Sequence, residues 1–296
     1  MTIGTTQGSV FLPKALMFLL LLLLGMRATL AAPQVTASIK PLQLIAAEIT
    51  QGVTTPALVW AQGQDPHHVS LRPSERRLLA EADLVLWTGP MLERPLAGLV
   101  AELDAHVITV QELSGVVLID VSGHPDPHVW VDTRNARLIA TALVAALVEL
   151  DAANAGQYRN NLMRFQAQLD TLDTDLRQRF ADAGQREWAV YHHALRYLER
   201  ALHLQPPLTL ADSENNAPGI RTVAKVRAEL EQKQITCMLV EPGVNQAEVL
   251  TMLDQPALRL ITADVMGQNV VTYGGDYIGY IKALATTLAT CLGVAQ

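Results

Sequence analysis

Between Ala155 and Asp182, the apolar residues Tyr158, Leu162, Phe165, Leu169, Leu172, Leu176 and Phe180 recur at alternating three- and four-residue spacing. That rhythm lays one continuous stripe along a helix. At 1.5 Å per residue such a helix reaches roughly 40 Å, enough to join two lobes. An ordinary core helix within one lobe is the commoner use of such a stripe. The mid-chain position argues for the spanning use, because strand-like and helix-like patterns alternate on both sides of it.

Strand patterns occupy Val35 to Ile39, Ala57 to Trp60, Leu84 to Trp87, Val107 to Val110, Ala189 to Tyr191, Ile235 to Val240 and Leu258 to Ile261. Helical patterns cover Leu42 to Thr50, Ser74 to Glu81, Ala217 to Gln232, Gln246 to Leu253 and Asp276 to Cys291. A further helix runs from Thr133 to Glu149, with Asp132 or Thr133 as its N-cap. Alternating β and α patterns build parallel sheets covered by helices. The expected fold is therefore α/β with two lobes, each a parallel sheet flanked by helices. Residues 32–154 would form the first lobe, 155–182 the connecting helix and 183–296 the second lobe.

The first 31 residues read differently. Lys14 precedes an apolar run from Ala15 to Gly25, and Thr29-Leu30-Ala31 fits the small-x-small rule for cleavage after Ala31. The run falls short of the roughly 20 apolar residues of a membrane span. An uncleaved anchor is the alternative reading. No Cys lies near the cleavage point, so lipid attachment there is not expected. Loss of Lys14 and Arg27 with this segment takes the formal charge from −7 to −9. An acidic exported chain is a poor nucleic-acid ligand, since phosphate contacts need clustered Lys and Arg. The two cysteines, Cys237 and Cys291, read as one disulfide in an oxidising compartment. It would tie a strand to the last helix and stabilise by up to roughly 4 kcal/mol through loop closure.

The candidate site is made of histidines. Asp65-Pro66-His67 and Asp126-Pro127-His128 place two imidazoles just past stiff, non-helical corners. His192 ends a strand pattern, and Asp264 follows one in Thr-Ala-Asp-Val-Met-Gly. Strand ends are where parallel sheets carry their sites. Taken singly, each His also reads as a surface turn or a satisfied core residue. Together the four can face one metal cleft between the lobes, two from each half. Three imidazoles and a carboxylate suit Zn²⁺, whereas an oxygen-loving ion asks for more carboxylates. His68 and His193, each adjacent to a candidate ligand, are read as neighbours that point elsewhere. His124, His106 and His203 are read as surface or packing residues. Glu241, after a strand, would orient a ligand His or cap a turn. Asp276 is read as a helix cap, and Trp60, Trp87 and Trp130 as core or cleft wall.

The chain resembles the zinc-binding, substrate-capturing component of bacterial ABC importers, in the cluster that carries zinc, manganese or iron. The stretches that carry the resemblance are Ser38–Leu42, His67–Ser74, Ala82–Pro90, Asp126–Trp130, Tyr191–Ala194, Pro218-Gly219 and Val240–Pro242. They span essentially the whole chain beyond the leader. The resemblance implies His67, His128 and His192 as metal ligands. Asp264 would be the fourth, a place that water or a Glu takes in other members. The Glu that precedes the first ligand in some zinc members is Pro66 here. The family's terminal disulfide matches Cys237 and Cys291. Manganese-type relatives tend to carry Glu at the third ligand position, so His192 favours zinc. Many zinc members have a long acidic His-rich loop before the second ligand; the segment Asp120–Pro125 holds one His and is not expected to collect metal. The resemblance thus implies a monomeric, non-catalytic periplasmic protein that passes Zn²⁺ to an inner-membrane ABC permease. A manganese- or iron-binding member is the first alternative. A periplasmic zinc hydrolase is another, but it lacks a His-Glu-x-x-His helix and has only Glu241 as a candidate base.

Overall fold

Two of the short strands are apolar on both faces, and this decides where they lie. Leu84–Trp87 and Cys237–Val240 are buried at every residue, as strands of a parallel sheet covered on both sides must be. A computed structural model describes residues 31–60, 71–121, 123–211, 218–269 and 274–295. The expected signal segment, His67 and His68 lie outside the described residues. The first sheet contains β1 (Val35–Ala37), β2 (Ala57–Leu58), β3 (Leu84–Trp87) and β4 (His106–Thr109), in the order β2-β1-β3-β4. The second contains β5 (Ala189–His192), β6 (Leu208–Ala211), β7 (Cys237–Val240) and β8 (Arg259–Thr262), in the order β8-β7-β5-β6. Every pairing within both sheets is parallel.

The helices are α1 (Lys40–Thr50), α2 (Pro73–Ala80), α3 (Thr133–Leu150), α4 (Ala155–Arg179), α5 (Arg196–Ala201), α6 (Ile220–Gln232), α7 (Gln246–Leu253) and α8 (Tyr277–Leu292), with a single further turn at Ala97–Val100. Asp132 caps α3 by accepting from Arg134 N–H at 2.8 Å, and Asp276 caps α8 by accepting from Gly279 N–H at 2.6 Å. Gly293 ends α8 at φ +65°, in the left-handed region that suits glycine. Among the described residues no helix is long and apolar enough to cross a membrane.

Two elements depart from the sequence expectation. Strand β6 directly follows Pro206-Pro207, and that proline pair reads as a loop rather than as the start of a strand. Helix α5 is 6 residues long, under two turns, and gives no periodic signal. Helix α4 stops at Arg179 rather than Asp182, yet Phe180 still buries its ring just past the end.

The apolar stripe of α4 does join the two halves. Tyr158, Phe165, Leu169, Leu172 and Leu176 are buried, and α4 packs against α1 and α3 from the first half and α8 from the second. Phe165 meets the Tyr277 ring edge-on at 5.6 Å. One continuous core runs from Val35 through Trp130 to Leu292, and a second, smaller core lies between the second sheet and α6 and α7. Trp130 is fully buried at the seam. Its Nε1–H lies 3.2 Å from both the Val265 carbonyl and the Tyr280 hydroxyl, and Tyr277 Oη–H donates to the Trp130 carbonyl at 2.6 Å.

Two features of this frame yield predictions. Cys237 and Cys291 are bonded, across 54 residues of chain, and so tie β7 to α8. Replacing both with Ser is expected to cost up to about 4 kcal/mol in denaturant unfolding, with no loss of the parallel sheets by circular dichroism. Glu93 is completely buried, accepting from Trp60 Nε1–H at 3.0 Å and Thr88 N–H at 2.8 Å. Burial raises its carboxyl above the ordinary 4.5, and these hydrogen bonds offset that only in part. A raised folded value means that its contribution is full below about pH 4.5 and is lost as pH rises through the folded value. The stability of wild type minus that of Glu93→Gln should therefore fall as pH rises above about 4.5. A pH-independent difference would show that Glu93 titrates alike in both states.

Candidate metal centre

His128 and His192 come from different sheets' halves and meet at the seam. Asp126-Pro127-His128 makes the expected stiff corner. Asp126 Oδ1 accepts from the His128 backbone N–H at 2.9 Å, closing a side-chain turn over the proline. The same oxygen lies 2.7 Å from His128 Nδ1. An ionised carboxylate only accepts, so Nδ1 carries a proton, and in the neutral ring Nε2 keeps its lone pair. His192 is the last residue of β5. Its ring centroid stands 5.3 Å from that of His128, tilted by 58°. Two imidazoles bound at about 2.0–2.1 Å to one tetrahedral ion have centroids about 5 Å apart. The spacing of this pair therefore suits a shared ion.

Residues that follow the strands of the second sheet fall into a row along its carboxyl edge. β5 ends in His192, the adjacent β7 is followed by Glu241, and β8 leads within two residues to Asp264. Glu241 is buried, and its Oε1 lies 3.3 Å from His192 Nδ1 without hydrogen-bond alignment. Asp264 is also buried, and its two oxygens accept from Gln268 N–H at 2.8 Å and Asn269 N–H at 2.7 Å. It holds the turn of its own loop. Among the described residues no three His, Cys, Asp or Glu side chains converge on one point. The structure thus brings His128 and His192 together and leaves Asp264 facing its own backbone.

The other candidates separate by burial. His124 sits exposed on a two-strand hairpin, Asp120–Val121 with His124–Pro125, while His106 and His203 are also exposed. His193 is 3% exposed and meets two charged residues that the sequence reading passed over. Its Nδ1 is 2.6 Å from an Arg196 terminal nitrogen, and its Nε2 is 2.6 Å from Glu199 Oε2. Arg196 Nε is in turn 3.1 Å from Asp126 Oδ2. No periodic signal marks these contacts, because a single turn of α5 and a loop from the other half make them. Burial lowers the His193 imidazole below its ordinary value, and the nearby Glu199 carboxylate opposes that only in part. Burial alone would raise the Asp126 carboxyl, but His128 and Arg196 outweigh it and hold the group below the ordinary aspartate value.

The profile of the zinc-uptake complex component A family, periplasmic, matches residues 35–291. The chain belongs to the ZnuA family. The high-affinity zinc uptake system protein ZnuA of Yersinia pestis is 26% identical, over 92% of this chain and 95% of its own length. In solved structures the fold is shared with a crystal structure of ZnuA, at TM-score 0.77 and 22% identity, covering 88% of this chain and 98% of that one. It is shared too with the Mn-bound periplasmic metal binding protein of Candidatus Liberibacter asiaticus, at TM-score 0.75 and 19% identity, covering 88% and 99%. The ZnuA-family seam here holds an imidazole pair in which one ring has a fixed tautomer. In ¹⁵N-resolved spectra of the metal-free protein, His128 should show a protonated Nδ1 and a bare Nε2. Asp126→Ala should return it to the mixture of tautomers typical of a free imidazole; an unchanged spectrum would mean that the carboxylate does not set it.

Proposed function

We propose that this chain captures Zn²⁺ in the periplasm and delivers it to an inner-membrane ABC permease for import. The observation that carries the reading is the apposition of His128 and His192, one from each half, with the Nε2 of His128 left bare. His67 is the third imidazole on this reading, and Asp264 or water completes the shell. Asp264 would have to share an oxygen lone pair already turned toward its loop, so its role is the lesser. Glu241, 3.3 Å from His192 Nδ1 and out of hydrogen-bond line, would orient His192 once an ion is bound, whereas Asp126 already holds His128. The halves on either side of α4 act as the two lobes, and the ion is their cargo. The uptake-system name carried by the Yersinia pestis relative supports the choice of zinc. No chemical step is assigned to the site, and the protein acts as a monomer.

Imidazole ligands must be neutral to bind, so affinity should fall at acid pH. Titration of the metal-free protein should give tight binding of one Zn²⁺ per chain. His67→Ala, His128→Ala and His192→Ala should each lose more than the tenfold to hundredfold that removing an orienting group costs. Normal binding by all three variants would end the proposal. The Mn-bound structural relative keeps manganese as the second reading. Zinc outbinds manganese at most nitrogen sites, so growth under zinc starvation, rather than competition, separates the two.

A further inference from the structure

Helix α5 begins four residues beyond His192, and its first turn reaches back across the seam. Arg196 lies between the two halves. Its Nε is 3.1 Å from Asp126 Oδ2, and its terminal nitrogen is 2.6 Å from His193 Nδ1. A guanidinium has only donors. His193 Nδ1 is therefore the acceptor, and the ring carries its proton on Nε2, which lies 2.6 Å from Glu199 Oε2 but out of hydrogen-bond alignment. Asp126 is filled on both sides: His128 on Oδ1 and Arg196 on Oδ2. Tyr197, next along α5, donates its hydroxyl proton to the Asp126 carbonyl at 2.8 Å and accepts from Ile119 N–H at 3.1 Å. The result is one chain of contacts, Glu199–His193–Arg196–Asp126–His128.

The apolar anchoring of this turn falls to Tyr197 and Leu198, both buried, whereas the Arg196 side chain is 27% exposed. Arg196 is not needed to fill the core. What it does is fork between the group that orients one imidazole and the residue that follows the other. We propose that Arg196 is a positioning residue that sets the metal affinity of the His128–His192 pair by clamping Asp126 to His193. This rests on the two histidines being ligands. Loss of the clamp frees the Asp126 carboxylate to turn, and His128 with it. Loss of an outer partner of this kind costs tenfold to a hundredfold in metal affinity. Lys at 196 has a single ammonium; it reaches Asp126 but cannot also hold His193 in the plane of a fork.

The test is zinc titration of the full-length chain carrying Arg196→Ala, Arg196→Lys, Asp126→Ala and the double change Arg196→Ala with Asp126→Ala, each beside its Tm and its His128 ¹⁵N spectrum. The expected result is a tenfold to hundredfold weaker Kd for Arg196→Ala with one ion per chain retained. Arg196→Lys should fall between it and wild type, the double variant should be no weaker than Asp126→Ala alone, and His128 Nδ1 protonation should diminish in Arg196→Ala. A merely structural Arg196 would lower Tm and leave the Kd of the folded protein and the His128 spectrum unchanged, which overturns the proposal. Additive losses in the double variant overturn it too, since Arg196 would then act by a route other than Asp126. If Arg196→Ala does not fold, the Arg196→Lys Kd and spectrum decide alone. His128→Ala separates the two readings: normal zinc binding there sinks the ligand assignment itself, whereas lost binding there beside a normal Arg196→Ala sinks only the clamp.

Discussion

The bonds around Trp130 hold the rest of the structure in register. Its indole N–H faces Val265 and Tyr280, and its own carbonyl receives the Tyr277 hydroxyl, so one fully buried residue of the first half is fastened to three of the second. His128 lies two residues before it and touches it edge-on at 5.3 Å. Val265 is the neighbour of Asp264. The seam that joins the halves is thus also the floor of the candidate site. Because the larger core is continuous across that seam, hinging the halves apart would expose apolar surface at about 25 cal/mol per Å² and strand buried donors. A large apolar junction argues against free lobe motion. On the zinc reading, metal would enter by movement of side chains and loops near the histidines more than by whole-lobe rotation.

The two imidazoles are held unequally. His128 has a short bond to an ionised, well-buried carboxylate that is itself held by Arg196. His192 has Glu241 at 3.3 Å but out of line, and neither His192 Nδ1 nor Glu241 Oε2 has a hydrogen bond. One imidazole is pre-set, and the other has slack that a small rotation would remove. A buried carboxylate left unbonded costs desolvation. An ion on His192 would make its Nδ1–H a stronger donor and draw Glu241 into line.

Much of this was legible in the chain, and the exceptions have physical causes. The stripe from Tyr158 to Phe180 announced the helix that both halves share, since seven positions of one period leave little choice. Strand patterns rich in apolar residues fell within a residue or two of their true bounds. Strand β6 was not seen because Pro206-Pro207 directly before it reads as a loop, and helix α5 because six residues are too few for its period to show. The Asp-Pro-His corner marked His128 as a candidate because proline restricts local geometry, the strand end marked His192, and the structure sets these two side by side. Asp264 carried a second message that went unread: an Asp three residues before a glycine at φ +63° is turn chemistry, and its oxygens serve that turn. The clamp through Arg196 could not be read at all. It depends on a one-turn helix meeting a loop 70 residues away in sequence, and no local rule carries that contact.

Donor type and rigidity divide the work of metal choice on the zinc reading. Imidazole nitrogens already favour zinc over manganese, so nothing in the fold is needed to reject the weaker ion. Copper is the harder competitor, since it binds nitrogen sites more tightly than zinc does. Affinity cannot exclude it; geometry can. Cu(II) prefers a tetragonal arrangement, whereas zinc accepts the tetrahedral one that a 5.3 Å imidazole pair supports. That preference has force only if the rings cannot swing to suit the ion. Trp130 beneath His128, and the carboxylate that pins its Nδ1, supply that resistance. The slack at His192 sets how much tetragonal distortion the site tolerates, which makes the Glu241 side of the centre the place where discrimination against copper is weakest.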